Sequence, residues 1–144
     1  MLGTIRTFTN EDETFVLNRI REVVEHTAQA AGTTAVLELP YSMRFPVTFN
    51  DEKLIAEMLP TLQNVAGKNN TILIPAITGA EDFSFFAQKV PGLYFFIGGM
   101  TKGKDPKTAG DHHTPQFLID DASFKTGVKA LCNLTLDYMS LYSN

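Results

Sequence analysis

The run from Leu93 to Ile97, in which every residue is apolar or aromatic, constrains the fold more than any other segment. A strand that alternates apolar and polar residues buries one face, whereas an uninterrupted run is typical of a strand covered by helices on both faces. Gly98 and Gly99 follow directly and permit a tight turn. The run therefore predicts a central strand of a parallel or mixed sheet.

An amphipathic helix is predicted over about residues 10–31. Asn10 and Glu13 have the spacing of a capping box, and acidic residues crowd the first turn, where the helix dipole favours negative charge. Gly32 supplies the left-handed residue that ends a helix. The apolar side of this helix is predicted to consist of Phe15, Ile20, Val23, Val24 and Ala31.

Three further helices follow from the same periodicity. The first begins at a cap formed by Asn50-Asp51 and ends at Gly67, with Pro60 expected to kink it. A short one should carry Phe83, Phe85 and Phe86 inward. The last spans about residues 121–141, and its apolar side is predicted to consist of Phe124, Val128, Leu131, Cys132 and Met139.

Alternating or β-branched segments at residues 3–8, 34–39 and 41–45 are typical of strands, the last at a sheet edge. With the helices they predict an α/β chain, in which a β-α-β unit is followed by a hinge near residues 48–50 and a second α/β part. A strand that opens at residue 3 indicates either a very compact start or sequence missing upstream.

Composition excludes several classes of protein. Sixteen acidic residues against twelve scattered Lys and Arg give a net charge of −4, so the chain offers no basic surface for nucleic acid. No stretch approaches the ~20 apolar residues of a membrane span, and no secretory signal is recognisable, so we expect a cytoplasmic protein. Cys132 is the single cysteine, which excludes an internal disulfide and favours a small buried apolar side chain.

The residues by themselves predict only a fraction of a metal site. Three histidines and one cysteine are few for zinc, and the adjacent His112 and His113 point in different directions, so at most one normally enters a given site. Glu81 and Asp82 precede an aromatic-rich helix, where they either cap it or face a polar cleft. The polar loop over residues 99–115 is long enough to be either functional or disordered.

Five landmarks of the chain, taken in order, resemble those of one protein family. They are Gly3-Thr4-Ile5-Arg6-Thr7-Phe8, Pro46-Val47-Thr48-Phe49-Asn50-Asp51, Ala80-Glu81-Asp82-Phe83-Ser84-Phe85-Phe86, Val90-Pro91-Gly92 with Ile97-Gly98, and His113-Thr114-Pro115-Gln116-Phe117 with Asp120-Asp121. The chain is similar to the N-acyl-amino-acid amidohydrolases, which include hippurate hydrolase, aminoacylase and indole-acetyl-amino-acid hydrolases among the dinuclear-metal exopeptidases.

The resemblance implies a domain organisation. Residues 1–49 would be the second half of a β-α-β-β-α-β lid domain that also dimerises. Residues 50–144 would be the C-terminal portion of a helix-covered, mixed-sheet catalytic domain. A homodimer through the lid portion is therefore expected.

The resemblance also implies a metal ligand and a reaction. His113 matches the last histidine ligand of the family, while its Cys-x-His motif, its Glu-Glu pair with the general base and a further histidine have no counterpart in this chain. In the intact enzymes two divalent ions, zinc or manganese, polarise an amide carbonyl and activate a water. We expect this chain to hold no metal stably by itself.

Other matched residues are candidates for contact with the substrate or with the groups that bind it. Arg6 could meet a substrate carboxylate or a partner subunit, because a guanidinium binds a carboxylate bidentately. Glu81 and Asp82 would face the cleft and orient other groups. Asn50 and Gly98 are the other two candidates for such contacts.

Two functional hypotheses follow. In the first, the chain is the C-terminal part of a metal-dependent amidohydrolase that cleaves N-acyl amino acids such as hippurate, and is inactive alone. In the second, it is a non-catalytic binding or dimerisation module derived from the same family.

Overall fold

Four α-helices form in the computed structural model of the protein, which describes residues 1–143. They are α1 (Asn10–Ala30), α2 (Glu52–Ala66), α3 (Phe83–Ala87) and α4 (Ala122–Tyr142), with 3₁₀ turns at Lys68–Asn70 and Pro106–Thr108. None of these helices is long and apolar enough to cross a membrane.

The chain divides into two compact units. Unit 1 comprises Met1–Asn50 and Pro75–Tyr94, and unit 2 comprises Asp51–Ile74 and the chain from Phe95 onward. One division between them falls after Asn50, beside the expected boundary between residues 49 and 50. Unit 1 also takes in a later segment, which the expected division assigned to the catalytic portion. The assignment of residues 1–49 to a lid and 50–144 to a catalytic domain stays a prediction.

The predicted α/β fold with a mixed sheet is wrong, because residues 1–143 contain no β-strand. The segments 3–8, 34–39, 41–45 and 93–97 belong to no helix and make no backbone ladder with one another. A strand exists only where a second segment lies about 4.8 Å away with complementary N–H and C=O groups. The apolar pattern predicted strands in these segments but did not specify a neighbouring strand for any of them.

Many apolar side chains remain exposed as a result. Val36, within the predicted strand over residues 34–39, is 95% exposed, and Leu73, within the apolar run of residues 72–74, is 100% exposed. The buried apolar residues among those described are Leu17, Met58, Ala87 and Ala130.

The cap of helix α1 lies one residue earlier than predicted, at Thr9 instead of Asn10. The hydroxyl of Thr9 accepts a hydrogen bond from the backbone N–H of Asp12 at 3.0 Å, so Asn10 is the first helical residue. Gly32 adopts φ +64°, which confirms the predicted left-handed stop. The predicted apolar side is partly wrong: Leu17 is buried, and Phe15, two residues earlier and therefore nearly opposite on the helix, is exposed, as is Val23.

Unit 2 is built on the packing of α2 against α4. The cap predicted at Asp51 is confirmed, since its carboxylate accepts from the N–H of Leu54 at 2.8 Å. Met58 and Ala130 are buried. The hydroxyl of Thr61, itself buried, donates to a carboxylate oxygen of Asp137 at 2.5 Å and so links the two helices.

The side of α4 that was predicted to be buried is the exposed one. Phe124, Val128, Leu131 and Met139 are all more than half exposed, and Cys132 is exposed rather than buried. Helix α2 instead packs on the side that carries Ala130, whose small side chain permits a close approach. Periodicity located the apolar side of α4 but could not say which side α2 would take.

We predict that Thr61→Val lowers the free energy of unfolding by about 1 to 3 kcal/mol, because it removes a partly buried hydrogen bond to a carboxylate at nearly constant volume. Urea denaturation measures the change. Thr135→Val is the matched control, since this exposed hydroxyl bonds only within α4, to the carbonyl of Leu131. Equal losses in the two variants would show that the Thr61–Asp137 contact does not stabilise unit 2.

Candidate functional site

Unit 1 holds four of the residues singled out from the sequence: Arg6, Asn50, Glu81 and Asp82. The guanidinium of Arg6 donates to the backbone carbonyl of Thr78 at 2.7 Å, three residues before Glu81. The Arg6 side chain is otherwise exposed, and a guanidinium has five N–H donors, so this bond leaves donors for another group. Contact of Arg6 with a carboxylate or a partner subunit stays a prediction.

Asn50 makes two hydrogen bonds to the backbone of Tyr94. Its side-chain amide donates to the carbonyl of Tyr94 at 2.8 Å, and its side-chain oxygen accepts from the N–H of the same residue at 2.6 Å. Both backbone groups of Tyr94, within the predicted central strand, are thus satisfied by one side chain, much as a neighbouring strand would do. The structure shows a structural contact for Asn50, and its role toward substrate stays a prediction.

Glu81 and Asp82 differ in their surroundings. Asp82 occupies the position before α3, but its side chain makes no capping hydrogen bond and the residue is exposed. Glu81 is half-buried and lies beside Tyr94. The pKa of Tyr94 is raised, first by the burial of Tyr94 itself and then by the hydrogen bond to Glu81 and the negative charge of Glu81. A carboxylate disfavours a nearby phenolate, which explains the sign of the Glu81 contribution.

Helix α3 is packed differently from the sequence expectation. Phe85 and Phe86 are exposed, which corrects their predicted inward orientation, while Ser84 and Ala87 are the buried positions. The ring of Phe83 lies 5.5 Å from that of Tyr94, centroid to centroid. Periodicity could not assign the inward face of this helix, because five residues complete little more than one turn.

We predict that Glu81→Gln lowers the pKa of Tyr94 toward its ordinary value, because the charge that opposes the phenolate is removed while the burial remains. The ring resonances of Tyr94, followed by NMR against pH, measure the change. Asp82→Asn is the matched control and should leave the titration unaltered. An unchanged Tyr94 titration in Glu81→Gln would contradict the contact.

Unit 2 holds the predicted metal ligand. His113 is exposed and has φ +64°, a left-handed conformation that residues other than glycine rarely adopt. The planes of the His113 and His112 rings make an angle of 76°, and their centroids are 6.5 Å apart. The His112 ring packs edge-on against the ring of Phe117, with 4.6 Å between the centroids. Strained backbone of this kind costs about 1 to 3 kcal/mol and is concentrated at functional sites.

A cleft lies beside these histidines within unit 2. It has a volume of about 830 Å³ and is formed by the end of the predicted central strand, the loop that follows it, and the first turns of α4. The N–H of Asp120 donates to the carbonyl of Gly99 at 2.7 Å and ties the two ends of the loop together. Gly98 has open space around it, so the structure gives no packing reason for a glycine there.

Sequence reasoning missed the contribution of Gly110 to this cleft. A Cβ atom at Gly110 would lie 2.4 Å from the backbone carbonyl of Gln116, so only glycine permits the chain to pass so closely. The loop was recognised as long and polar, but a close backbone approach between residues 110 and 116 leaves no periodic signal in a sequence.

A metal centre is not complete in the part of the chain that the structure describes. Residues 1–143 contain no group of three or more His, Cys, Asp or Glu side chains that could hold an ion. A structural zinc site uses four protein ligands and a catalytic one three. The described residues therefore do not fit a metal centre by themselves, and the assignment of His113 as a metal ligand stays a prediction.

Backbone strain at His113 predicts that the free energy of unfolding is about 1 kcal/mol higher for His113→Gly than for His113→Ala. Glycine adopts a positive φ without the clash of a Cβ atom. Urea denaturation of the two variants measures the difference. The same pair of substitutions at His112, which lacks a positive φ, should reverse the order. A His113 pair that behaves like the His112 pair would rule out strain.

Comparison with known proteins identifies the family. Residues 7–137 match the family described as Peptidase family M20/M25/M40. The chain therefore belongs to this family of metal-dependent hydrolases, and the resemblance to its amidohydrolases is confirmed.

Three relatives show the range of the family. Thermostable carboxypeptidase 2 of Saccharolobus solfataricus is 27% identical over 138 residues, covering 96% of this chain and 34% of the relative. IAA-amino acid hydrolase ILR1-like 6 of Arabidopsis thaliana is 27% identical over 87% of this chain and 27% of the relative. N-acetyldiaminopimelate deacetylase of Streptococcus suis is 32% identical, covering 89% of this chain and 34% of the relative. The chain thus spans about a third of the length of the relatives that it matches.

Proposed function

We propose that this chain is the C-terminal part of a metal-dependent amidohydrolase that cleaves the amide bond of N-acyl amino acids. The observation that carries the proposal is the family match over residues 7–137, within a stretch that corresponds to about a third of each relative. The names of the three relatives describe a carboxypeptidase, a hydrolase of an amino acid conjugate and a deacetylase of an acylated amino acid. An acyl group on the nitrogen of an amino acid is the substrate feature common to these reactions.

Within this proposal His113 contributes one ligand to a metal centre whose ion is zinc or manganese. The exposed, left-handed His113 supports this role, because nothing in its packing requires a strained histidine at that position. Arg6, which keeps free donors beside its bond to Thr78, is a candidate to hold a carboxylate. Burial, followed by the hydrogen bond and the negative charge of Glu81, raises the pKa of Tyr94 and so favours its protonated phenol.

The isolated chain should have no amidohydrolase activity, because the described residues do not assemble a metal centre. The alternative is a non-catalytic module that only binds ligand or pairs with a second copy through residues 1–49. The exposed apolar side chains of residues 1–49, such as Val36, favour some association of this kind. Joining the chain to the parts of a relative that it lacks separates the two hypotheses.

We predict that a chimera hydrolyses N-acyl amino acids while this chain alone does not. The chimera would consist of the segment of Streptococcus suis N-acetyldiaminopimelate deacetylase that precedes the matched region, followed by this chain. Release of the free amino acid from N-acetyl and N-benzoyl substrates, with zinc or manganese added, is the assay. Turnover by this chain alone would contradict the proposal.

Histidine variants of the chimera provide the controls. His113→Ala should abolish turnover and lower the metal content after dialysis, whereas His112→Ala and His26→Ala should retain both. A folded, metal-loaded chimera that hydrolyses none of these substrates would favour the non-catalytic alternative.

A further inference from the structure

One side of α4 carries six residues at the spacing of a coiled-coil seam. They recur at intervals of four and three residues, which keeps them on one side of a helix with 3.6 residues per turn. They are Phe124, Val128, Leu131, Thr135, Tyr138 and Tyr142, and we call this set the α4 seam. All are apolar or aromatic except Thr135, whose hydroxyl is bonded to the carbonyl of Leu131.

The α4 seam is open to a further helix. Its five apolar or aromatic side chains are all between 43% and 64% exposed. Helix α2 packs on the side of α4 that carries Ala130, and no other described helix packs against α4. Intervals of three and four residues interlock with the side chains of another helix, whereas a strand presents every second residue. The spacing therefore favours a helix as the partner.

Contacts with α2 already hold the α4 seam in place. The bond between Thr61 and Asp137 links the two helices. Near the C-terminal end of α4 the hydroxyl of Tyr142 donates to a carboxylate oxygen of Glu57, which lies on α2, at 2.8 Å. The ring of Tyr138 lies 4.7 Å from that of Tyr142, centroid to centroid. A surface that is ordered in advance loses less conformational entropy when it binds.

The α4 seam is complementary to itself in the antiparallel direction. Its intervals of 4, 3, 4, 3 and 4 residues are the same when counted from either end. A second α4 that runs the opposite way therefore meets it layer by layer, and each layer is formed twice about a two-fold axis. The layers would be Phe124 against Tyr142, Val128 against Tyr138, and Leu131 against Thr135.

Charge favours the same direction. A parallel pair would bring Lys125 of both copies to one level beside the seam, where the like charges repel. In the antiparallel pair Lys125 lies beside the last turn of the other α4, which has no basic residue of its own. A cation in that place is favoured by the negative end of the helix dipole.

We propose that the α4 seam is an interface for a second copy of this chain, whose α4 packs against it in the antiparallel direction. The two-fold axis would pass close to residue 133, so Cys132 of both copies would flank it. Phe124 and Val128 also line the cleft of unit 2, so the C-terminal end of the second α4 would lie at the edge of that cleft. This pairing does not depend on the proposed function and differs from pairing through residues 1–49.

Sedimentation equilibrium of the whole chain tests the pairing. We expect a reversible dimer with twice the chain mass of 15.9 kDa. Leu131→Glu should raise the dissociation constant at least tenfold, because it places a charge in the central layers of an apolar interface. Leu136→Glu is the matched control and should change it less than twofold, since Leu136 is 65% exposed against 61% for Leu131 but lies outside the seam. Equal effects of the two substitutions, or a chain that is monomeric at millimolar concentration, overturn the proposal.

Two complementary variants test the direction of the pairing. Val128→Glu and Tyr138→Lys, both at exposed positions, should each weaken the dimer at least tenfold when studied alone. Mixed in equal amounts they should associate within several-fold of the unaltered chain. The charge introduced at position 128 of one copy then lies opposite the charge introduced at position 138 of the other. A mixture that associates no more tightly than either variant alone overturns the antiparallel arrangement.

The single cysteine of the chain locates the interface. Cys132 is exposed and accepts a nitroxide label without further substitutions. The electron paramagnetic resonance spectrum of the labelled dimer should show dipolar broadening, because the axes of packed helices lie about 8 to 10 Å apart. An excess of unlabelled chain should remove the broadening.

Other partners for this side of α4 would give different results. A dimer without broadening would place the contact elsewhere, for example in residues 1–49, and would overturn the proposal. A monomeric chain that forms a one-to-one complex with the segment of Streptococcus suis N-acetyldiaminopimelate deacetylase preceding the matched region would also overturn it. None of these measurements requires hydrolysis, so the chimera tests the proposed function separately.

Discussion

The packing of α2 against α4 is the interaction on which unit 2 depends. Met58, Thr61 and Ala130 are its buried residues, and the Thr61–Asp137 hydrogen bond crosses the same contact. Because α4 is held at this contact, its first turns form one wall of the cleft, and the bond between Gly99 and Asp120 attaches the loop to the same wall. The position of the loop that carries His113 is therefore a consequence of helix packing and not of a sheet.

Unit 1 uses side-chain hydrogen bonds where a sheet would use a backbone ladder. Arg6 binds the carbonyl of Thr78, Arg21 binds the carbonyl of Leu39, and Asn50 satisfies both backbone groups of Tyr94. Each of these bonds holds a segment of extended character that has no strand beside it. Such bonds satisfy backbone groups but bury little apolar area, which explains why Val36 in the same unit stays exposed.

The proposed metal site and the apolar side of α4 have one feature in common. The chain spans about a third of the length of its relatives, and the resemblance assigns one metal ligand, His113, to it. The apolar side of α4, which carries Phe124 and Leu131, is packed against no other described helix. A metal centre needs further ligands and an exposed apolar side favours association, so under the proposed function groups outside this chain would complete both.

The sequence by itself determined the features that depend on local interactions. The end of α1 at Gly32 and the cap of α2 at Asp51 could be predicted, because each is encoded within a few consecutive residues. The family resemblance could be predicted because its five landmarks are short sequence motifs that occur in a fixed order along the chain. The tertiary structure decided everything that depends on a distant partner. Whether the run 93–97 pairs as a strand, and which side of α4 is buried, are settled by segments far away in sequence, and periodicity carries no information about them.

The candidate site divides in the same way. The resemblance placed His113 among the metal ligands, but only the structure showed its left-handed backbone, since φ at a non-glycine residue is set by the contacts of the surrounding loop. The cleft likewise could not be predicted from the sequence. The glycines that line it, Gly99, Gly110 and Gly127, lie apart along the chain and come together only because α4 and the loop that follows the predicted strand pack around one space.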